Sequence, residues 1–205
     1  MDISVYRRLM DAGRGADRLS ILALAGVISM MSTRPAPYDK PIAGLQRDRF
    51  SSMMACAFPG FQGEELIAAM PSTWTDLDPR ADEFDDLLEL LLEHCTNNSD
   101  ECVWVAHAIA TASMGGNHLW QDLGLPDRKA LSRLIEHNFT SLFIRNVGDM
   151  KWKKFFYREL CERAEVMICK SPSCGVCVDY KVCFGSEDAL APIPLACIVD
   201  APNIP

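Results

Sequence analysis

The chain has no apolar run long enough to cross a bilayer. The longest, Ile21 to Met31 (ILALAGVISMM), stops at eleven residues; a spanning helix needs about 20. Nor does that run sit where a secretory signal would. Asp2, Asp11, Asp17 and four arginines precede it, whereas a signal carries its apolar region close behind a short basic start. A buried helix in a cytoplasmic protein is the expectation. Basic charge is also in short supply, with 20 Lys and Arg against 28 Asp and Glu and a net charge of −8. That balance argues against nucleic acid or an anionic membrane as partner. Alternating apolar and polar runs, the mark of half-buried strands, are missing. So are internal repeats, a nucleophile elbow, a phosphate-cradling glycine loop and a zinc-protease motif.

What is present suits a helical domain with a core. Apolar residues make up 49% and charged residues 23% of the 205, ordinary globular usage that does not predict general disorder. Helical periodicity predicts helices over 5–9, 19–31, 64–70 and 84–94, then one capped by Ser99 or Asp100 and ended by Gly115-Gly116. Another is expected with Pro126 in its first turn, and a last one over DMKWKKFFYRELCERAE. Prolines in STRPAPYDKPIAG interrupt the N-terminal part. The expected fold class is mostly α, a helical domain carrying a C-terminal cysteine-rich metal or cluster loop. Its parts are an N-terminal helical region with proline-rich linkers (1–83), a helical core ending in the cysteine loop (84–187) and an extended tail (188–205). Ten acidic residues against one basic residue fall between Asp76 and Glu101, a pattern that reads as a solvated helix face.

Nine cysteines are present, four of them in CKSPSCGVCVDYKVCFG: Cys169, Cys174, Cys177 and Cys183. A reducing compartment, an odd count and a chain long enough to need no staples argue against disulfides. Cys56, Cys95, Cys102, Cys161 and Cys197 read as small buried hydrophobes. The four clustered thiols follow Cys-x4-Cys-x2-Cys-x5-Cys. One tight turn can point Cys174 and Cys177 the same way, with Pro172 fixing the entry and Gly175 free to take positive φ. Structural zinc sites usually show two tight pairs, and only one is present. Iron-sulfur clusters tolerate uneven spacing because their corners face different directions. Spacing therefore speaks for a soft-metal centre, with a cluster and zinc both open. A thiol redox enzyme using Cys174 and Cys177 lacks the expected βαβ context.

Other candidates are weaker. Lys151, Lys153, Lys154 and Arg158 make one helix basic in an acidic chain, suited to steering an oxyanion or an acidic partner. Its Trp152, Phe156 and Leu160 stripe reads as plain core. His107 and His118 flank the Gly115-Gly116 break as candidate extra ligands or supports, though such histidines are more often structural. His94 beside Cys95, with Cys102 and His107 downstream, is a looser grouping.

NHLWQDLGL (117–125), DMKWKKFFYRELCE (149–162) and CKSPSCGVCVDYKVCFGSE (169–187) together resemble the NifQ family. The likeness covers roughly the C-terminal half, in order, with all four cysteines at that family's spacing. It implies a carrier of a molybdenum-iron-sulfur cluster rather than a turnover enzyme. Such a protein takes molybdate or another molybdenum source. It supplies molybdenum, already bound to sulfur, to the scaffold protein of the nitrogenase iron-molybdenum cofactor and its associated reductase. In that scheme Cys169, Cys174, Cys177 and Cys183 hold the cluster, the basic helix guides molybdate or the partner, and His118 is an extra ligand or support. The alternative from another class is a zinc-stabilised helical interaction module.

Overall fold

The computed structural model describes residues 1–31, 33, 40–70, 81–165, 174, 177 and 180–187, and no strand occurs among them. The expected tail and Cys197 lie outside the described residues. In chain order the helices are α1 (Ile3–Ala12), α2 (Arg18–Met31), α3 (Arg47–Ala57), α4 (Glu64–Ala69), α5 (Ala81–Glu93) and α6 (Asp100–Ser113). They continue with α7 (Leu119–Asp122), α8 (Arg128–Asn138), α9 (Thr140–Arg145), α10 (Trp152–Arg163) and α11 (Tyr180–Phe184).

Two helices form the centre. In α2 nearly every position from Ser20 to Met31 is buried, as expected of a helix apolar all round. Gly26 shows how tightly it is packed: a Cβ there would stand 2.1 Å from the Leu123 carbonyl oxygen. The second is α6, whose Ser99 cap accepts the Cys102 N–H at 3.2 Å and satisfies one of the helix's free N-terminal donors. Its buried alanines at 106, 108, 110 and 112 let α2 lie close against it.

Around this pair the amphipathic helices turn their apolar faces inward. Leu87, Leu90 and Leu91 of α5 are buried, as are Leu131, Leu134 and Ile135 of α8. In α10, Trp152, Phe155 and Phe156 form a mutually packed aromatic group, with ring centroids 5.6 to 6.0 Å apart. The indole N–H of Trp152 donates to Ser132 Oγ at 3.1 Å, so its polar edge is satisfied in the core.

The structure departs from expectation in several places. Helix α3 has no counterpart in the reading above, although Phe50, Met53, Met54 and Ala57 make an i, i+3, i+4, i+7 face that is buried. Its serines and its uncapped start at Gln46 weaken the local signal. Helix α8 begins at Arg128, not Pro126, because Asp127 is a stronger N-terminal signal: its carboxylate accepts the Ala130 N–H at 2.7 Å. The acidic face of α5 is not simply solvated, for it seats the basic α10. Glu83 accepts from the Tyr157 hydroxyl, and Glu93 accepts from Arg163 at 2.6 and 2.8 Å. Among the described isolated cysteines only Cys102 is buried; Cys56 is exposed, and Cys95 and Cys161 are half-buried. Each of those three sits near an element end or on an outward face, where its small side chain is not enclosed.

Candidate metal centre

Of the four clustered cysteines, Cys174, Cys177 and Cys183 are described; Cys169 lies outside the described residues. All three are free thiols, Cys174 exposed and the other two half-buried. The tight turn expected between the first pair is present, with the Cys177 N–H donating to the Cys174 carbonyl at 3.3 Å. Tyr180 N–H then donates to the Cys177 carbonyl at 3.2 Å and opens α11, which carries Cys183. Among the described residues no three His, Cys, Asp or Glu side chains gather closely enough to hold a metal ion.

The returning arm is anchored from below. The Cys183 carbonyl accepts the Lys151 N–H at 2.8 Å, so α11 satisfies the capping N–H at the start of α10, a donor with no partner inside its own helix. Phe184 stacks on Tyr180, ring centroids 4.5 Å apart, and reaches Gly148, where an added Cβ would meet its ring at 3.2 Å.

Four residues past Cys183, the buried Glu187 carboxylate lies 3.4 Å from His118 Nδ1 and 3.4 Å from Arg128 Nη1. Arg128 also donates to the Asp149 carboxylate and carbonyl, both at 2.8 Å, and to the Met150 carbonyl at 3.0 Å. Asn146 closes the same turn by bonding both the Met150 N–H and its carbonyl at 2.8 Å. Asp149 takes φ 51° there, a left-handed conformation that Asp tolerates better than most residues. The turn presenting Lys151 to Cys183 is therefore braced from several sides.

Beneath it lies a fully buried carboxylate, Asp122. It accepts from Lys153 Nζ at 2.8 Å and from the Asn117 side-chain and backbone N–H groups at 2.9 and 3.1 Å. Lys153 also donates to the Gly115 carbonyl at 2.8 Å. Gly115 must stay bare, because a Cβ would stand 2.3 Å from an Asp122 oxygen. The two motif segments 117–125 and 149–162 are thus joined through a buried ion pair.

With this geometry in place, comparison with known proteins decides the family. The NifQ family model matches residues 23–185. The chain belongs to the NifQ family. Protein NifQ of Azotobacter vinelandii is 47% identical over 151 residues, covering 70% of this chain and 77% of that protein. Protein NifQ of Rhodobacter capsulatus is 40% identical over 141 residues, covering 69% of this chain and 71% of that protein. The protein NifQ homolog of Sinorhizobium fredii is 41% identical over 106 residues, 52% of this chain and 46% of that protein. No solved structure matches the chain.

The structure spreads the other candidate residues over different tasks. His118 starts α7, where its backbone N–H donates to Gln121 at 3.1 Å and its ring faces Glu187. His107 is committed elsewhere: Nδ1 pairs with the Ala43 carbonyl at 3.0 Å, and the ring packs on Gly44. Burial holds its pKa below the usual imidazole value, only partly offset by the Ala43 bond.

Of the four basic residues, Lys153 is turned inward onto Asp122, while Lys154 and Arg158 are exposed and Lys151 is half-buried. Arg158 bonds Glu162 at 2.7 Å, which does most to raise its pKa; the Glu162 charge and the nearby Cys174 add to it. The loop's exposed cysteine thus has a guanidinium within electrostatic reach. Glu187, Arg128 and Asp122 went unread as supports of the site. Only the presence of Asn117, Asp122 and Glu187 inside the family-like segments hinted at them. No described helix is long and apolar enough to cross a membrane.

Proposed function

We propose that the protein carries a molybdenum-iron-sulfur cluster on Cys169, Cys174, Cys177 and Cys183 in nitrogen fixation. It delivers molybdenum, already bound to sulfur, to the scaffold on which the nitrogenase iron-molybdenum cofactor is built. Membership of the NifQ family supports this reading. The observation that carries it is the contrast between a firmly anchored base and an accessible set of thiols. Cys183 is tied to α10 and Glu187 is buried between His118 and Arg128, whereas Cys174 is exposed and Cys177 half-buried. A carrier that must give up its cargo needs sulfurs that a partner can reach.

Soft thiolates suit iron, sulfide-bound molybdenum and their clusters, whereas molybdate itself is a hard oxyanion. The donor set therefore fits sulfur-bound cargo. Because the described thiols do not converge, loading must draw them together. Exposed Lys154 and Arg158 add positive charge that can guide molybdate or an acidic partner to the loop. Nothing in this scheme calls for turnover; the protein acts as a carrier.

Metal analysis with absorption spectra of anaerobically purified protein, wild type beside Cys174→Ala, tests the reading. Iron and molybdenum together, lost in the variant, are expected. One zinc per chain in a colourless protein overturns it in favour of a zinc-stapled interaction module.

A further inference from the structure

Two cysteines outside the motif meet just past the C-terminal end of α5. Cys95 ends the turn after that helix, its N–H donating to the Leu92 carbonyl at 3.3 Å. Cys102 lies in the first turn of α6, in side-chain contact with Cys95. One carbonyl organises both: the Asn138 oxygen accepts the Thr96 N–H at 2.8 Å and the Cys102 thiol at 3.1 Å. Cys95 also lines a solvent-open pocket of about 380 Å³, together with His94, Thr96, Thr140 and Ser141. The polar wall is fixed in place, with His94 Nδ1 on Ser141 Oγ at 2.8 Å and the two threonine hydroxyls 3.0 Å apart. The two thiols differ in exposure, with Cys95 half-buried at the pocket and Cys102 buried. Contact with Cys95, with burial, pushes the Cys102 thiol up.

We infer that Cys95 and Cys102 are a dithiol that closes to a disulfide by exchange with low-molecular-weight disulfides admitted by the pocket beside Cys95. This is a redox site separate from the four-cysteine motif, and it stands whether or not the motif carries a cluster. A half-buried thiol on a pocket with a second thiol in contact is the arrangement of an attacking and a resolving cysteine.

The chemistry balances in two exchanges. The Cys95 thiolate attacks one sulfur of the small disulfide; that S–S bond breaks, a mixed disulfide forms and one small thiolate departs. Cys102 then attacks the Cys95 sulfur, the mixed disulfide breaks, and the second small thiolate leaves with the Cys102 proton. The two protein thiols are oxidised and the small disulfide is reduced to two thiols. Closing the bond strands no buried acceptor, because the Asn138 carbonyl keeps the Thr96 N–H after losing the Cys102 thiol.

The sequence makes the test direct. No Lys or Arg lies between Arg80 and Arg128, so both cysteines fall in one tryptic peptide, and cleavage after Glu101 separates them unless they are bridged. The reduced full chain is equilibrated anaerobically with oxidised glutathione, alkylated and mapped by mass spectrometry. The expected result is a Cys95–Cys102 peptide lighter by two hydrogens that stays joined after cleavage at Glu101. In Cys102→Ala the expected result is glutathione held on Cys95. The inference fails if the wild-type pair remains reduced while Cys174 in the same sample is modified. It fails equally if wild-type Cys95 keeps its glutathione unresolved, or if Cys95 in Cys102→Ala takes none.

Discussion

Replacing Lys153 by methionine removes a charge while keeping most of the side chain's length, and the structure says what that should cost. The ammonium stands 2.8 Å from Asp122 Oδ2, the Asp122 side chain is 0% exposed and that of Lys153 is 17% exposed. Taking one partner from a buried pair leaves the other charge in a low dielectric and typically costs 3–5 kcal/mol. The two Asn117 donors remain on the carboxylate, which places Lys153→Met near the lower end, about 3 kcal/mol. With a urea m-value of about 2 kcal/mol/M, the unfolding midpoint should fall by about 1.5 M. The measurement is urea unfolding followed by far-UV circular dichroism on wild type, Lys153→Met, Lys154→Met and the double variant Asp122→Asn/Lys153→Met. Exposed Lys154 should change stability by less than about 0.5 kcal/mol. The double variant should recover much of the loss, since it removes the stranded charge. A cost below about 1 kcal/mol for Lys153→Met, the range of exposed pairs, would refute the buried-pair argument. It would return Lys153 to the solvent-facing steering role that its place on a basic helix first suggests.

The other predictions concern the loop's anchor, a titration and a close approach. Glu187→Gln should weaken the hold of His118 and Arg128 on the segment after Cys183; faster hydrogen exchange at the Lys151 amide, with global stability little changed, is the readout, and unchanged exchange would count against the anchor. His107 has its pKa depressed by burial from the usual 6.5, so its neutral form is the one the fold prefers. Its contribution to stability is complete above pH 6.5 and is lost as the pH falls through the lower folded-state value. His107→Asn, which can still donate to the Ala43 carbonyl, should flatten the stability profile in that acid window; an unaltered profile would refute the assignment. Gly26→Ala puts a methyl group 2.1 Å from the Leu123 carbonyl oxygen and should cost about 1–3 kcal/mol by overpacking, against a gain from alanine if α2 were loosely packed. Thermal unfolding distinguishes the two by sign.

The long helices could be read from the chain because burying one face imposes a period on consecutive residues. The stripe on α5, the apolar run of α2 and the Ser99 cap of α6 are local facts, and the structure has them where the periodicity puts them. Short elements escaped: α7, α9 and α11 hold too few turns for a period to register, and their existence depends on what they pack against; α3 has the period, but its serines and uncapped start obscured it. The cysteine motif was equally local, four soft ligands in fifteen residues. What the basic helix does with its charges was not local at all. Lys153 meets Asp122 across 31 positions and Arg163 meets Glu93 across 70, and no spacing rule links residues that far apart. The sequence by itself determined a helical protein with four cysteines close together near its C-terminus, because period and residue type are written along the chain. Only the tertiary structure decided which charges are buried struts, which stay exposed to solvent, and that Cys95 meets Cys102 beside a pocket. Those outcomes depend on burial and distance, which exist only once the helices have packed.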